Sequence, residues 1–261
     1  MVSQRSENTP WTLQQTWLGV ILTLVPWIAL AVILASLNGN VPTNQPVSPQ
    51  VDLASAMTVL VLGVLIEATF LIAPFTFALR ALRDTPARLR LALQALGFRG
   101  FAAGKALLWI ALFFVAILFI NKGYQILADY LVTTFHLPPI QTNDQVLLSQ
   151  AKDKPLTVYA QLLVGVLVAP ICEEVFFRGF VLMGLLRALP VWLAIGLSAL
   201  IFAVAHADPS SFPVLLCIGL ALAFLRWQTR SLWPGIVLHL VNNGLGAFLI
   251  VLAMHGIFPP F

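Results

Sequence analysis

The chain has 261 residues, of which 60% are hydrophobic and 9% charged, against about 45–50% and 25% in a typical soluble domain. Mean hydropathy is +0.94, formal net charge +4 and pI about 9.4. The 14 Lys and Arg and 10 Asp and Glu are too few to coat a water-facing globule, which excludes a soluble enzyme, a nucleic-acid-binding domain and a disordered regulator.

The apolar residues form long unbroken runs rather than alternating segments of about ten, which argues against a membrane β-barrel. Helices, which satisfy their own backbone, remain. The expected fold is therefore an all-α polytopic membrane protein with about seven transmembrane helices. Runs long enough to span lie at 17–37, 53–79, 101–120, 156–187, 190–206, 212–226 and 233–254. The first run, Trp17 to Leu37, is too long for the apolar region of a cleavable signal and reads as a retained span. The stretch 38–51, rich in Pro, Asn, Gln and Ser, reads as a surface loop. So does 136–155, with 121–135 either continuing the third helix or lying at the interface. Arg187 and Pro190 bracket a tight turn between the fourth and fifth spans, Asp208 to Ser211 separate the fifth from the sixth, and Arg226 to Ser231 the sixth from the seventh. The organisation expected is an N-terminal region of about three spans with loops, 1–155, and a C-terminal core, 156–254, without internal repeats.

Basic residues set the orientation. With the N-terminus inside, the cytoplasmic segments hold Arg5, Arg80, Arg83, Arg88, Arg90, Arg99, Lys105, Arg178, Arg187, Arg226 and Arg230, which is 11 of the 14, and leave Lys122, Lys152 and Lys154 outside. A bacterial plasma membrane with a cytoplasmic N-terminus and a cytoplasmic loop 80–100 is the expected setting. Trp11, Trp17, Trp227 and Trp233 read as interface anchors. Cys172 and Cys217 form no spaced pair and imply neither a disulfide nor a thiolate metal site.

Ionisable groups inside a span cost at least about 2.5 kcal/mol near its centre, so each needs a reason. Glu173 and Glu174 lie in an apolar run with Arg178 one turn on; His206 ends the fifth span; His239 and Asn243 lie in the seventh. Glu173 is 16 residues before Leu189 and His206 is 16 after Pro190, so a hairpin turning there brings them to one depth, about 24 Å from the turn. Glu174 and Arg178 have ion-pair spacing, and His239 and Asn243 share a helix face. A carboxylate beside a His can hold a water and take its proton during attack on a carbonyl, and His239 and Asn243 can donate to the resulting oxyanion. The structural alternatives are a packing ion pair, an interfacial His and interhelical hydrogen bonding; intramembrane acids weigh towards function. Glu67, deep in the second span without a basic neighbour in its own helix, is unassigned, and Cys172 reads as apolar filler.

Glu-Glu-x-x-x-Arg (Glu173, Glu174, Arg178), Phe-x-x-x-His (Phe202, His206) and His-x-x-x-Asn (His239, Asn243), in that order over about 156–252, resemble the CAAX-processing and bacteriocin-immunity group of intramembrane endopeptidases. Its eukaryotic branch includes the type II CAAX prenyl protease. The resemblance implies that Glu173 and His206 activate water, that His239 and Asn243 form the oxyanion site, and that Glu174, Arg178 and Phe202 support them. Glu173, His206 and His239 could alternatively hold Zn²⁺ or another divalent metal with an open water position, leaving Glu174 as base. No His-Glu-x-x-His motif is present, and the metal-free glutamate mechanism, with no cofactor, is favoured.

The expected substrate is a membrane-anchored peptide or protein within the lipid bilayer. The prokaryote-like brevity of the chain weighs against prenylated substrates, leaving peptide export, bacteriocin self-protection or signalling. The rivals are a proton-coupled transporter, disfavoured because the polar residues occupy one half of the chain, and a non-catalytic immunity or binding protein of the same fold.

Overall fold

The computed structural model describes residues 9–38, 47–136 and 142–257. Its regular elements are helices: α1 Leu13–Asn38, α2 Pro49–Thr69, α3 Ile72–Ala81, α4 Arg88–Leu96, α5 Ala103–Phe135, α6 Asn143–Ala151, α7 Pro155–Leu186, α8 Val191–Ala205, α9 Phe212–Thr229 and α10 Trp233–Met254. Six segments are long and apolar enough to cross a membrane: the first part of α1, the α2–α3 run, α5, α7, α9 and α10; α8 is a shorter apolar helix. All seven predicted spans fall on these helices, and the protein is an all-α polytopic membrane protein.

The structure differs from the sequence reading in three places. The stretch 80–100 contains α4, an amphipathic helix that buries Ala92 and Leu96 and ends at Gly97, whose φ is 110°. Only glycine takes such a φ without strain. The stretch 136–155 contains α6, started by a capping box in which Thr142 and Gln145 satisfy each other's backbone N–H. Residues 121–135 continue the third span without a break, which is one of the two readings the sequence left open. Trp11 is no interface anchor: it is fully buried, with its ring 5.3 Å from that of Phe180. Of the predicted loop 38–51, residues 39–46 lie outside the described residues, as does Arg5.

One end of the bundle gathers the basic segments. Arg187 Nη1 donates to the carbonyls of Thr9 (3.1 Å) and Trp11 (2.9 Å). Leu232 N donates to Gly97 O at 2.9 Å, and Ser231 Oγ to Arg99 O at 2.7 Å. Further along α5, Tyr124 donates to Ser210 O, and beside this turn Asn143 Nδ2 donates to Asp208 Oδ2 at 2.8 Å.

Helix α7 is the axis of the fold. It is interrupted by two widened, π-type turns, Val164–Val168 and Glu174–Val181. Such turns concentrate at functional sites, and Pro170 accounts for the first. A proline has no N–H and its ring crowds the carbonyl four residues back. Ala169 N therefore reaches past the α register to Val164 O. The next π-type partner for Gly165 O would be residue 170, which has no hydrogen to give. All eight residues of the second widened turn are buried. Phe176, Phe177 and Phe180 project from it and meet Phe70, Phe77, Phe202 and Trp11. In lipid this contact acts through close packing, because the surrounding tails are as apolar as the core.

The start of α7 has no cap of its own and is closed by a side chain from α2. Asp52 Oδ2 accepts from Leu156 N (2.9 Å), and Oδ1 accepts from Thr157 N (3.0 Å) and Thr157 Oγ1 (2.7 Å). This meets orphan N–H groups of the first turn and locks α2 against α7. Replacing Asp52 by Ala leaves buried donors unmet, at a cost of about 1–3 kcal/mol. The melting temperature of the detergent-solubilised protein is expected to fall in Asp52→Ala, and to fall less in Asp52→Asn, which keeps one acceptor oxygen.

Candidate active site

Three helices converge on Glu173. It stands on α7 directly before the second widened turn, with one carboxylate oxygen, Oε2, turned to two histidines. His206 Nε2, at the end of α8, is 3.9 Å from this oxygen, and His239 Nε2, on α10, is 3.8 Å from it. The α7–α8 hairpin turns at residues 187–190, and the equal offsets of Glu173 and His206 from that turn put them at one depth. The three side chains are 13%, 27% and 4% exposed respectively, so the cluster is reached from the His206 side.

The two histidines differ in what their neighbours leave available. His206 Nδ1 is 2.8 Å from Phe202 O. A carbonyl only accepts, so Nδ1 carries the hydrogen and the neutral ring offers Nε2 as an acceptor. His239 faces acceptors on both sides, with Glu173 Oε2 near Nε2 and Glu174 Oε1 3.5 Å from Nδ1. It is placed to donate. The 3.9 Å between His206 Nε2 and Glu173 Oε2 is too long for a direct hydrogen bond and suits two acceptors served by the two O–H groups of one water.

Behind the cluster lies a buried ion pair. Arg178 Nη1 is 2.9 Å from Glu174 Oε1, and both side chains are fully buried. Arg178 Nη2 donates to Gly219 O of α9 at 3.2 Å, and the guanidinium lies 4.2 Å from the centre of the Phe202 ring. The same ring is 4.5 Å from that of His206 and 5.9 Å from that of His239, so Phe202 is a platform under both histidines. Gly235 lets α10 come close: a Cβ there would lie 2.6 Å from Glu174 Oε2. His239 follows one turn later on the same face.

Asn243 stands a further turn along α10 and bonds outside the Glu–His cluster. Its Nδ2 donates to Gly165 O at 2.9 Å, the carbonyl left over by Pro170, and its Oδ1 accepts from Asn242 Nδ2 at 3.3 Å. One amide hydrogen is thereby used and the other remains to donate. The carbonyls of Gly165 and Gly219 and the close approach at Gly235 carry no residue-type signature; Pro170 was the available clue to the first.

After His206 the chain turns at Ala207 in the left-handed region, φ 49°. Asp208 closes this turn, its Oδ1 accepting from the backbone N–H of Ser210 and Ser211 and from Ser210 Oγ. Burial alone would raise the Asp208 carboxyl, but these hydrogen bonds outweigh it and hold the group below the usual carboxylate range.

Glu173, His206 and His239 are the residues that would hold a divalent metal, with Glu173 Oε2 3.9 and 3.8 Å from the two histidine nitrogens. Among the described residues no three His, Cys, Asp or Glu side chains are grouped to hold an ion.

Comparison with known proteins bears on the same region. Residues 155–245 match the family model described as Rce1-like, type II CAAX prenyl endopeptidase. A Bacillus subtilis (strain 168) protein named "Putative membrane peptidase YdiL" is 29% identical over 152 residues, an alignment that covers 58% of this chain and 58% of the relative. No solved structure matches. The matched stretch contains Glu173, His206, His239 and Asn243, and over it the chain is similar to the Rce1-like endopeptidases; the chain spans less than two thirds of the length of the curated relative it matches.

Proposed function

We propose that this protein is an intramembrane endopeptidase that hydrolyses a peptide bond of a membrane-anchored protein or peptide with a water activated by Glu173 and His206. The observation that carries this reading is the opposed pair of histidines at one carboxylate oxygen, His206 fixed as an acceptor and His239 facing only acceptors. The water donates to Glu173 Oε2 and His206 Nε2. As its oxygen attacks the carbonyl carbon, Glu173 takes the proton. His239 and the free amide hydrogen of Asn243 donate to the oxyanion. The C–N bond then breaks, and the proton passes from Glu173 to the leaving amine nitrogen. Glu174 takes the direct ion pair with Arg178, which leaves the Glu173 carboxylate turned to the histidines and the water.

In this reading no metal is needed: His206 and His239 already stand within 3.9 Å of one carboxylate oxygen of Glu173, and Asn243 follows one turn after His239 on α10. The setting is a bacterial plasma membrane with the N-terminus and the Arg-rich end of the bundle on the cytoplasmic side, supported by the clustering of basic segments at that end. The substrate is a peptide segment held at the bilayer, without a requirement for a prenyl group.

Cleavage of a panel of membrane-anchored peptides by purified protein in liposomes tests this. Glu173→Gln is expected to lower kcat by about 10²- to 10⁴-fold, with the wild type indifferent to strong chelators. A Glu173→Gln variant as active as wild type overturns the site, and loss on chelation that Zn²⁺ restores overturns the metal-free mechanism. Asn243→Ala removes one oxyanion donor and is expected to lower kcat by about 10²- to 10³-fold with little change in KM; an effect confined to KM would place Asn243 in substrate binding instead.

A further inference from the structure

A cleft of about 440 Å³ runs between α1 and the α2–α3 segment, a size typical of ligand clefts. Two contacts set its direction. A Cβ at Gly19 would lie 3.2 Å from Ala73 Cβ, and the rings of Trp27 and Phe70 are 6.2 Å apart. Residue numbers therefore rise along the α1 wall as they fall along the opposite one. Leu18 lies towards the Arg80 end of the cleft, and Leu30 towards the Ile66 end.

The cleft has the depth of one lipid leaflet. From Leu18 to Leu30 is about 18 Å of helix, against about 15 Å for half of the hydrocarbon core. Its apolar wall is open to the surroundings, with Leu18, Leu22, Leu30 and Ile72 all exposed. Among the described residues Arg80 is the one charged side chain lining it, and it is exposed. Arg83 nearby is already paired with Asp84 at 3.1 Å. The Arg80 end is also the end at which Trp11 is buried, because Phe180 meets the rings of both Trp11 and Phe77. There Arg187 holds the carbonyls of Thr9 and Trp11. An apolar slot one leaflet deep, with a guanidinium at its mouth, matches a hydrocarbon chain that ends in an anion. Arginine suits phosphate in particular, because its planar fork donates two parallel hydrogen bonds.

We propose that this cleft is a binding site for one anionic phospholipid: an acyl chain lies along it from Leu18 to Leu30, and the phosphate-bearing headgroup pairs with Arg80. The lipid joins the first span to α3 across a seam that protein side chains leave open. None of Glu173, His206, His239 and Asn243 lines the cleft, so the proposal stands apart from the hydrolytic reading.

The test uses the purified full chain in mild detergent, offered phosphatidylglycerol or phosphatidylcholine with the same acyl chains. Bound lipid is counted by native mass spectrometry. Wild type is expected to hold one phosphatidylglycerol about 5-fold more tightly than phosphatidylcholine, the advantage of one cation beside an anionic headgroup. Arg80→Gln, a change at an exposed position, is expected to abolish that preference, whereas Arg83→Gln keeps it. Thr76→Phe puts a ring into the cleft and is expected to lose the held lipid of either kind. Equal retention of the two lipids by wild type marks ordinary boundary lipid and overturns the proposal. An Arg80→Gln variant that keeps the wild-type preference overturns it too, as does a dimer whose second copy fills the cleft and excludes lipid. Undiminished binding in Thr76→Phe would place the acyl chain elsewhere and count equally against it.

Discussion

The buried ion pair between Glu174 and Arg178 is the interaction on which the rest of the centre depends. Neither charge reaches solvent, and removing one partner of such a pair costs about 3–5 kcal/mol, because the other is left uncompensated. The arginine also reaches a carbonyl of α9 and lies over the Phe202 ring of α8, so one guanidinium gathers three helices. The glutamate receives α10 at Gly235. With these positions set, His206 and His239 have little freedom except to face Glu173. The pair also separates two adjacent acids: Glu174 is bound to Arg178, and Glu173 is left facing the two histidines.

Composition and run length made the membrane class and the seven helices legible, because the bilayer demands about 20 apolar residues per span and tolerates few charges. The meeting of Glu173 and His206 was legible from counting alone, since a hairpin with a tight turn equates distance along the chain with depth. What escaped was local chemistry on a smaller scale. The capping box that starts α6 and the glycine that ends α4 lie among polar residues that look like loop. Trp11 resembled its interfacial counterparts because sequence does not tell a tryptophan at the lipid boundary from one folded back onto Phe180. The span containing Pro170 read as one helix, although its widened turns decide which carbonyls are left over.

The two histidines illustrate how neighbours, rather than residue type, assign chemical roles. Both are imidazoles near the same carboxylate oxygen. A backbone carbonyl one turn away commits the hydrogen of His206 and leaves it an acceptor, whereas two carboxylates turn His239 into a donor. Phe202 serves both, lending its carbonyl to one ring and its aromatic face to each.

The bond from Asn243 to Gly165 O has a wider implication. That carbonyl is available because the ring nitrogen of Pro170 has no hydrogen to offer it. Any other residue at position 170 would bring an N–H that competes for the same acceptor, and the amide of Asn243 would be released to rotate. The aim of a polar group on one helix is therefore governed by an unreactive imino acid on another. A census of reactive side chains would pass over the residue that keeps one of them in line.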